Sequence, residues 1–186
     1  MIKLKTAPAA EPVAGTDVQT FLRLASTDAN TRLANYAITA RTQAENYCKR
    51  SFINQSWELM LDACKISDTI KLPRPPLVSV TSVKYYDVNH AEATQNSTQY
   101  QLDTYSEPGR LIIKTGYVWG AGVALRDKNA LLIEYVAGYG AAGTNVPQDI
   151  KDVIIEAAAY YFNEGKIGTL PEDSLKKLQP YVVYWK

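Results

Sequence analysis

Three glycines, Gly138, Gly140 and Gly143, stand at the GxGxxG spacing that cradles a dinucleotide pyrophosphate, and they follow a segment of strand character. In a dinucleotide site the helix opens within the glycines, so that its first amides meet the phosphates. Here Pro147 sets the helix start several residues later, and the chain that follows is too short for further parallel strands and an acidic ribose partner. The glycines therefore read as a strand-to-helix turn, with Gly138, Gly140 and Pro147 as its structural residues. His90 is the one histidine, and Asp87-Val88-Asn89-His90-Ala91-Glu92 has the composition of a hairpin tip; a catalytic triad would have to use it, yet no GxSxG elbow occurs. One histidine with two distant cysteines, Cys48 and Cys64, cannot supply an ordinary transition-metal ligand set. Glu156 and Glu164 flank the polar face of a helix, while Glu172 and Asp173 follow Pro171, where acidic groups favour a helix N-terminus. We therefore expect no catalytic, cofactor-binding or metal-binding residues, and no enzyme.

The elements that would position these side chains are of two kinds. At 186 residues and 46% hydrophobic, the chain can bury a proper core as one helical domain carrying a compact insert. Cys48 falls in a helix and Cys64 at a strand edge, both read as reduced thiols filling core positions. The formal charge is +1, from 20 basic and 19 acidic residues interspersed along the chain. That balance argues against wrapping duplex DNA, which requires neutralising many phosphates, but does not exclude a neutral wall past which DNA slides. The N-terminus lacks the apolar run of a signal peptide and no stretch reaches a membrane span, so a protein made in the cytoplasm is expected.

Residues 1–15, rich in Ala and Pro, read as an extended arm. Thr16 then opens a short helix through a capping box with Gln19, and Val18, Phe21, Leu22 and Leu24 give it an apolar side. Asp28 or Asn30 caps a longer helix reaching about Arg50, with Leu33, Ala37, Ala40, Ala44, Tyr47 and Cys48 at helical spacing. The period then becomes twofold: Trp57, Leu59 and Leu61, the β-branched and aromatic run 78–86, and segments 100–103, 109–113 and 130–136 read as strands. Pro73, Pro75 and Pro76 must lie at an edge or a crossing. Segments 89–98 and 116–129 read as a hairpin tip and a long loop. Helical signals return at Pro147, as a first-turn residue, with Ile150, Val153, Ile154, Ala157, Ala158, Tyr161 and Phe162 on one face and Gly165 as the stop. A short fourth helix runs from Pro171 to Pro180.

The expected fold is α+β: a small helical bundle of two N-terminal and two C-terminal helices (16–52 and 145–180) with an inserted antiparallel β-rich subdomain (53–144) and a C-terminal tail (181–186). Most of the 13 tyrosines and three tryptophans fit sheet packing, although Lys84-Tyr85-Tyr86 could stack on a single strand. The tail residues Tyr181, Val182, Val183, Tyr184 and Trp185 are candidate protein-interface residues, because so apolar a tail either folds back or inserts into a partner.

Several blocks, in this order, resemble the head–tail connector (head-completion or adaptor) proteins of tailed bacteriophages in their longer form with a β-rich insertion. They are Thr6-Ala7-Pro8-Ala9-Ala10-Glu11-Pro12-Val13, the helix end Tyr47–Arg50 followed by Gln55-Ser56-Trp57-Glu58-Leu59, the block 72–86, Leu102-Asp103-Thr104-Tyr105-Ser106-Glu107-Pro108-Gly109-Arg110, Ile133-Glu134-Tyr135-Val136-Ala137-Gly138-Tyr139-Gly140, Val146-Pro147-Gln148-Asp149-Ile150-Lys151, and Leu170-Pro171 before Leu178-Gln179-Pro180-Tyr181. One departure is Asn163-Glu164-Gly165, where relatives often carry Asn-Arg-Glu. The resemblance implies a virion protein of phages, prophages or gene-transfer agents, located at the head–tail junction. It implies a homo-oligomeric ring, typically of twelve subunits, between the portal protein and a tail-side connector or stopper protein. Packaged DNA would pass through its lumen without sequence-specific binding, and no membrane is involved. A different class of function, an aromatic β-module binding a carbohydrate or single-stranded nucleic acid through Trp57, Tyr85 or Trp119, is the alternative expectation.

Overall fold

The two periodicities sort into two units in the computed structural model, which describes residues 1–25 and 30–184. A β unit is formed by Met1–Pro8 with Asn54–Gly138, and a helical unit by Ala9–Ile53 with Tyr139–Lys186. The α+β class expected from the sequence is observed, with four α-helices and antiparallel sheets among the described residues.

In the helical unit, α1 (Gly15–Phe21), α2 (Asn30–Cys48), α3 (Gln148–Glu164) and α4 (Glu172–Leu178) share one core. The apolar spacing does what its period dictates. Leu33, Ala37, Ala40, Ala44 and Cys48 of α2 are buried against Ile150, Val153, Ile154, Ala157, Ala158 and Tyr161 of α3. Facing alanines let the two backbones approach closely, and Tyr36 meets Tyr161 edge-on at 6.3 Å. Gly165 ends α3 in the left-handed conformation, at φ 68°.

Three details of the helix ends differ from expectation. Thr16 does not cap α1; Ala14 precedes the helix, and the Asp17 carboxylate accepts from the Ala14 N–H at 2.8 Å, while the Gln19 amide donates to the Leu24 carbonyl. Phe21, expected on the apolar side of α1, is exposed. Pro147 and Pro171 precede α3 and α4 with extended ψ rather than occupying their first turns, because a residue already fixed at φ near −55° suits the cap position equally. Asp28, the other candidate cap of α2, lies outside the described residues.

The β unit holds a five-stranded antiparallel sheet in the order β1 (Ile2–Thr6), β2 (Gln55–Leu61), β8 (Leu131–Ala137), β4 (Leu77–Tyr86), β5 (Glu92–Thr94). A second sheet has the order β3 (Thr69–Lys71), β7 (Arg110–Ile113), β6 (Tyr100–Asp103). Register places Trp57 opposite Tyr135, Leu59 opposite Ile133 and Val83 opposite Ile133, so these side chains share a face. They join Ile70, Leu72 and Leu111 of the smaller sheet in a second core. On the opposite face Glu58, Met60, Leu132, Glu134 and Lys84 come together, and Lys5 pairs with Glu134 at 2.6 Å.

The stretch expected as an arm is divided: Ile2–Thr6 forms the edge strand β1 against β2, while Ala9 onward belongs to the helical unit. Cys64 is not a core residue at a strand edge but an exposed one in a 3₁₀ turn, Ala63–Lys65. The segment 89–98 is more than a hairpin tip, since it contains β5, and the loop 116–129 contains a 3₁₀ turn that buries Trp119.

Candidate assembly surfaces

The turn that leads into α3 is built from glycines of different purpose. Gly138 takes φ 147° as its N–H donates to the Pro76 carbonyl at 2.9 Å, a backbone conformation that side chains disfavour. Gly140 has ordinary φ, but a Cβ there would collide with the Asn145 side chain, whose Oδ1 accepts from the Ala142 N–H at 3.1 Å. A side chain at Gly140 is thus excluded by contact rather than by backbone strain. Pro147 follows the 3₁₀ turn Gly143–Asn145 and sits just ahead of α3.

Within the helical unit, a largely buried ion triad ties three segments together. The Arg41 guanidinium donates from Nε and Nη2 to both Glu11 oxygens, at 2.6 and 3.1 Å, and from Nη1 to Glu45 Oε2 at 2.6 Å. The other Glu45 oxygen accepts from the Phe52 N–H at 2.8 Å. Arg41 and Glu45 are both buried, so each charge depends on its partner. This triad fastens the proline-rich approach to α1 and the exit from α2 onto α2 itself. The sequence reading missed it, because Arg41 and Glu45 four residues apart look like any solvated helix pair; the signal would have been their position on the alanine face.

The C-terminal tail lies along the helical unit over its described length. Val183 is 6% exposed and its N–H donates to the Cys48 carbonyl at 2.9 Å; Arg50 Nε donates to the Tyr181 carbonyl at 3.1 Å. The Tyr181 hydroxyl donates to Asp149 at 3.0 Å, and burial together with that carboxylate raises its pKa. Val182 is half-buried, whereas Tyr184 is 66% exposed, with its hydroxyl against the Gln179 amide. Trp185 lies outside the described residues. Beneath the tail, burial pushes the Cys48 thiol up to about 12, which keeps it protonated and unreactive.

The β unit places the remaining sequence candidates apart from one another. His90 sits in the β4–β5 turn with φ 65°, where Asp87 Oδ1 accepts from the Asn89 and Ala91 N–H groups at 2.8 and 2.9 Å. Its ring faces Arg126, which in turn stacks on Tyr86 with 4.0 Å to the ring centroid. Trp57 and Trp119 are buried at 9% and 8% exposure, and Tyr85 is partly buried in the same core, so none forms an open stacking platform. Among the described residues no group of three or more His, Cys, Asp or Glu is placed to hold a metal, and no helix is long and apolar enough to cross a membrane.

The β6–β7 turn carries a feature that sequence reasoning passed over. Tyr105 is 99% exposed. The backbone beneath it is held by Asp103, whose carboxylate accepts from the Tyr105 N–H (3.0 Å), the Ser106 N–H (3.2 Å), the Ser106 hydroxyl (2.7 Å) and Arg110 Nε and Nη2 (2.9 and 2.6 Å). These donors, chiefly Ser106 and Arg110, hold the Asp103 carboxyl well below the usual carboxylate range. An exposed aromatic ring is thus displayed on a braced turn.

No family model matches the chain, and no curated protein matches it in sequence. Solved structures do share its fold. A chain in the neck of an empty gene transfer agent particle, computed with C6 symmetry, superposes with a TM-score of 0.79 at 20% identity, covering 100% of this chain and 97% of that one. A chain in the virion of the native gene transfer agent particle gives 0.76 at 20% identity, and one in the native neck computed with C12 symmetry gives 0.75 at 19%, both with the same coverage. The fold of this chain, helical unit and β unit together, is that of a protein found in the neck of phage-like particles.

Proposed function

We propose that this protein is a structural head–tail connector subunit. It assembles as a ring at the head–tail junction of a virion or phage-like particle. In this reading the ring lies below the portal, extends the DNA channel, helps retain packaged DNA and presents a docking surface to a tail-side connector. The observation that carries it is the end-to-end likeness of fold to neck chains, with neither unit left over on either side. The C6 and C12 symmetries in which those necks were computed support a ring, and favour twelve subunits. A net charge of +1 supports a channel wall that lets DNA pass without gripping it. The C-terminal tail supports a portal contact, with Tyr181 to Val183 anchoring it, the exposed Tyr184 available to a partner, and Trp185 proposed as a further contact residue.

The test is the mass of the purified protein by light scattering and native mass spectrometry, alone and mixed with its cognate portal. Ring-sized assemblies, or recruitment to portal in symmetric stoichiometry, are expected. A monomer indifferent to portal would overturn the proposal.

A further inference from the structure

A ring needs each subunit to carry two different surfaces that fit one another, a knob and a hole. The β unit has one feature of each kind. The knob is Tyr105, 99% exposed at the tip of the β6–β7 turn of the smaller sheet. The hole is a cavity of about 290 Å³ on the five-stranded sheet, lined by Met1, Lys3, Glu58, Met60, Asn129 and Leu132. Resting on the connector reading, we propose that Tyr105 of one subunit fills this cavity of the next copy of the same chain, and that this contact closes the ring.

The chemistry of the cavity suits a phenol. Met1, Met60 and Leu132 offer two polarizable thioethers and a branched aliphatic to the ring faces and edges. Lys3 provides a cation for the π face, and Glu58 and Asn129 provide polar atoms for the hydroxyl. The placement suits propagation from copy to copy. Glu58, Met60 and Leu132 lie on the face of the large sheet opposite Trp57, Leu59 and Ile133, whereas the sheet that carries Tyr105 shares its core with that Trp57 face. Knob and hole therefore look away from each other on one subunit, so Tyr105 cannot fill its own cavity. The bracing supports the same reading. A solvated turn gains little from five donors on one carboxylate, but a turn that must present a ring in fixed orientation avoids the ordering cost on binding.

Tyr105→Ala tests the knob and Met60→Lys the hole. Each is expected to raise the protein concentration needed for half-assembly, with or without portal, by about 30-fold, the scale of an anchoring aromatic. Thermal melting should be unchanged for Tyr105→Ala, whose side chain touches nothing in the monomer. In a Cys64→Ser background, Tyr105→Cys combined with Met60→Cys should give an oxidant-dependent ladder of intermolecular disulfides, and Tyr117→Cys with Met60→Cys should not. Normal assembly by Tyr105→Ala, or the absence of the ladder from assembled rings, would overturn the contact and leave the connector reading intact. Loss of portal recruitment with self-assembly retained would assign Tyr105 to the portal and would likewise overturn it. Failure of the unmodified protein to assemble under any of these conditions would overturn both.

Discussion

The helical unit and the β unit solve the same problem with opposite materials. Between α2 and α3 the core sets five alanines among Leu33, Ile150, Val153, Ile154 and Tyr161 and adds one ion triad, so close approach and mutually dependent charges contribute beside ordinary apolar burial. The core of the β unit is made of Trp57, Leu111, Ile133, Tyr135 and their neighbours, and its stability comes from large side chains filling the space between two sheets. The contrast extends to the surface. The helical unit draws its apolar tail onto itself through Val183, whereas the β unit leaves Tyr105 wholly exposed and holds it there. One region folds most of its apolar tail away and leaves Tyr184 outward, and the other displays an aromatic ring on a braced turn.

This contrast can be broken experimentally. The largest effect is expected from Arg41→Met, which strands the buried Glu45 and the partly buried Glu11; a loss of about 3–5 kcal/mol should appear in urea unfolding followed by far-UV circular dichroism. Leu111→Ala, fully buried between the sheets, should cost about 2–5 kcal/mol by leaving a cavity. The opposite change is the damaging one in the helical unit: Ala157→Leu, which adds bulk at a fully buried position, should cost about 1–3 kcal/mol. If Ala157→Leu were neutral, close helix approach would not be what holds that core.

Truncation sharpens the comparison further. Ending the chain after Pro180 removes the buried Val183 side chain and its backbone bond to Cys48, so about 2 kcal/mol should be lost and failure to join portal would be ambiguous. Ending it after Val183 should leave the stability within about 0.5 kcal/mol of the full chain, because the buried Val183 and its backbone bond to Cys48 are kept. That second truncation isolates the portal role proposed for Tyr184 and Trp185.

The smallest effect concerns acid. The folded-state pKa of Asp103 lies below that of the unfolded chain, about 3.9, so its contribution is complete above that pH and fades as pH falls toward the folded value. Asp103→Asn should therefore lower the melting temperature at neutral pH, flatten its fall below about pH 4, and converge with the parent in strong acid. A constant offset across the acid range would show that Asp103 acts through shape rather than charge.

Much of the fold was legible because period alone determined it. The alternation around Trp57 and the β-branched and apolar run 130–136 pointed to strands, and the spacing of Ile150, Val153, Ile154 and Ala157 pointed to α3 with its stop at Gly165. What escaped depended on distant partners. Ile2-Lys3-Leu4-Lys5 alternates, but it becomes a strand only because Leu59, Glu58 and Trp57 are there to pair with it. β3 and β5 are three residues each, too short to show a period. Thr16 was the expected cap, yet it is the Asp17 carboxylate that reaches back to the Ala14 N–H, a choice set by geometry that residue type does not reveal. Tyr105 gave no signal at all, since exposure is a property of the folded surface and not of a residue's neighbours in sequence.

The division of the N-terminus between units reaches beyond stability, to how such a protein can be rearranged. The β unit looks like a cassette between two pairs of helices, yet its outer strand β1 is encoded ahead of the first helix and pairs only with β2 among the described strands. A cut-and-paste exchange of residues 54–138 would move four of the five strands of the large sheet and leave β1 behind as an unpaired edge at the head of the recipient. Recombination or design that treats this unit as a module must carry two pieces of gene, one of them only eight codons long.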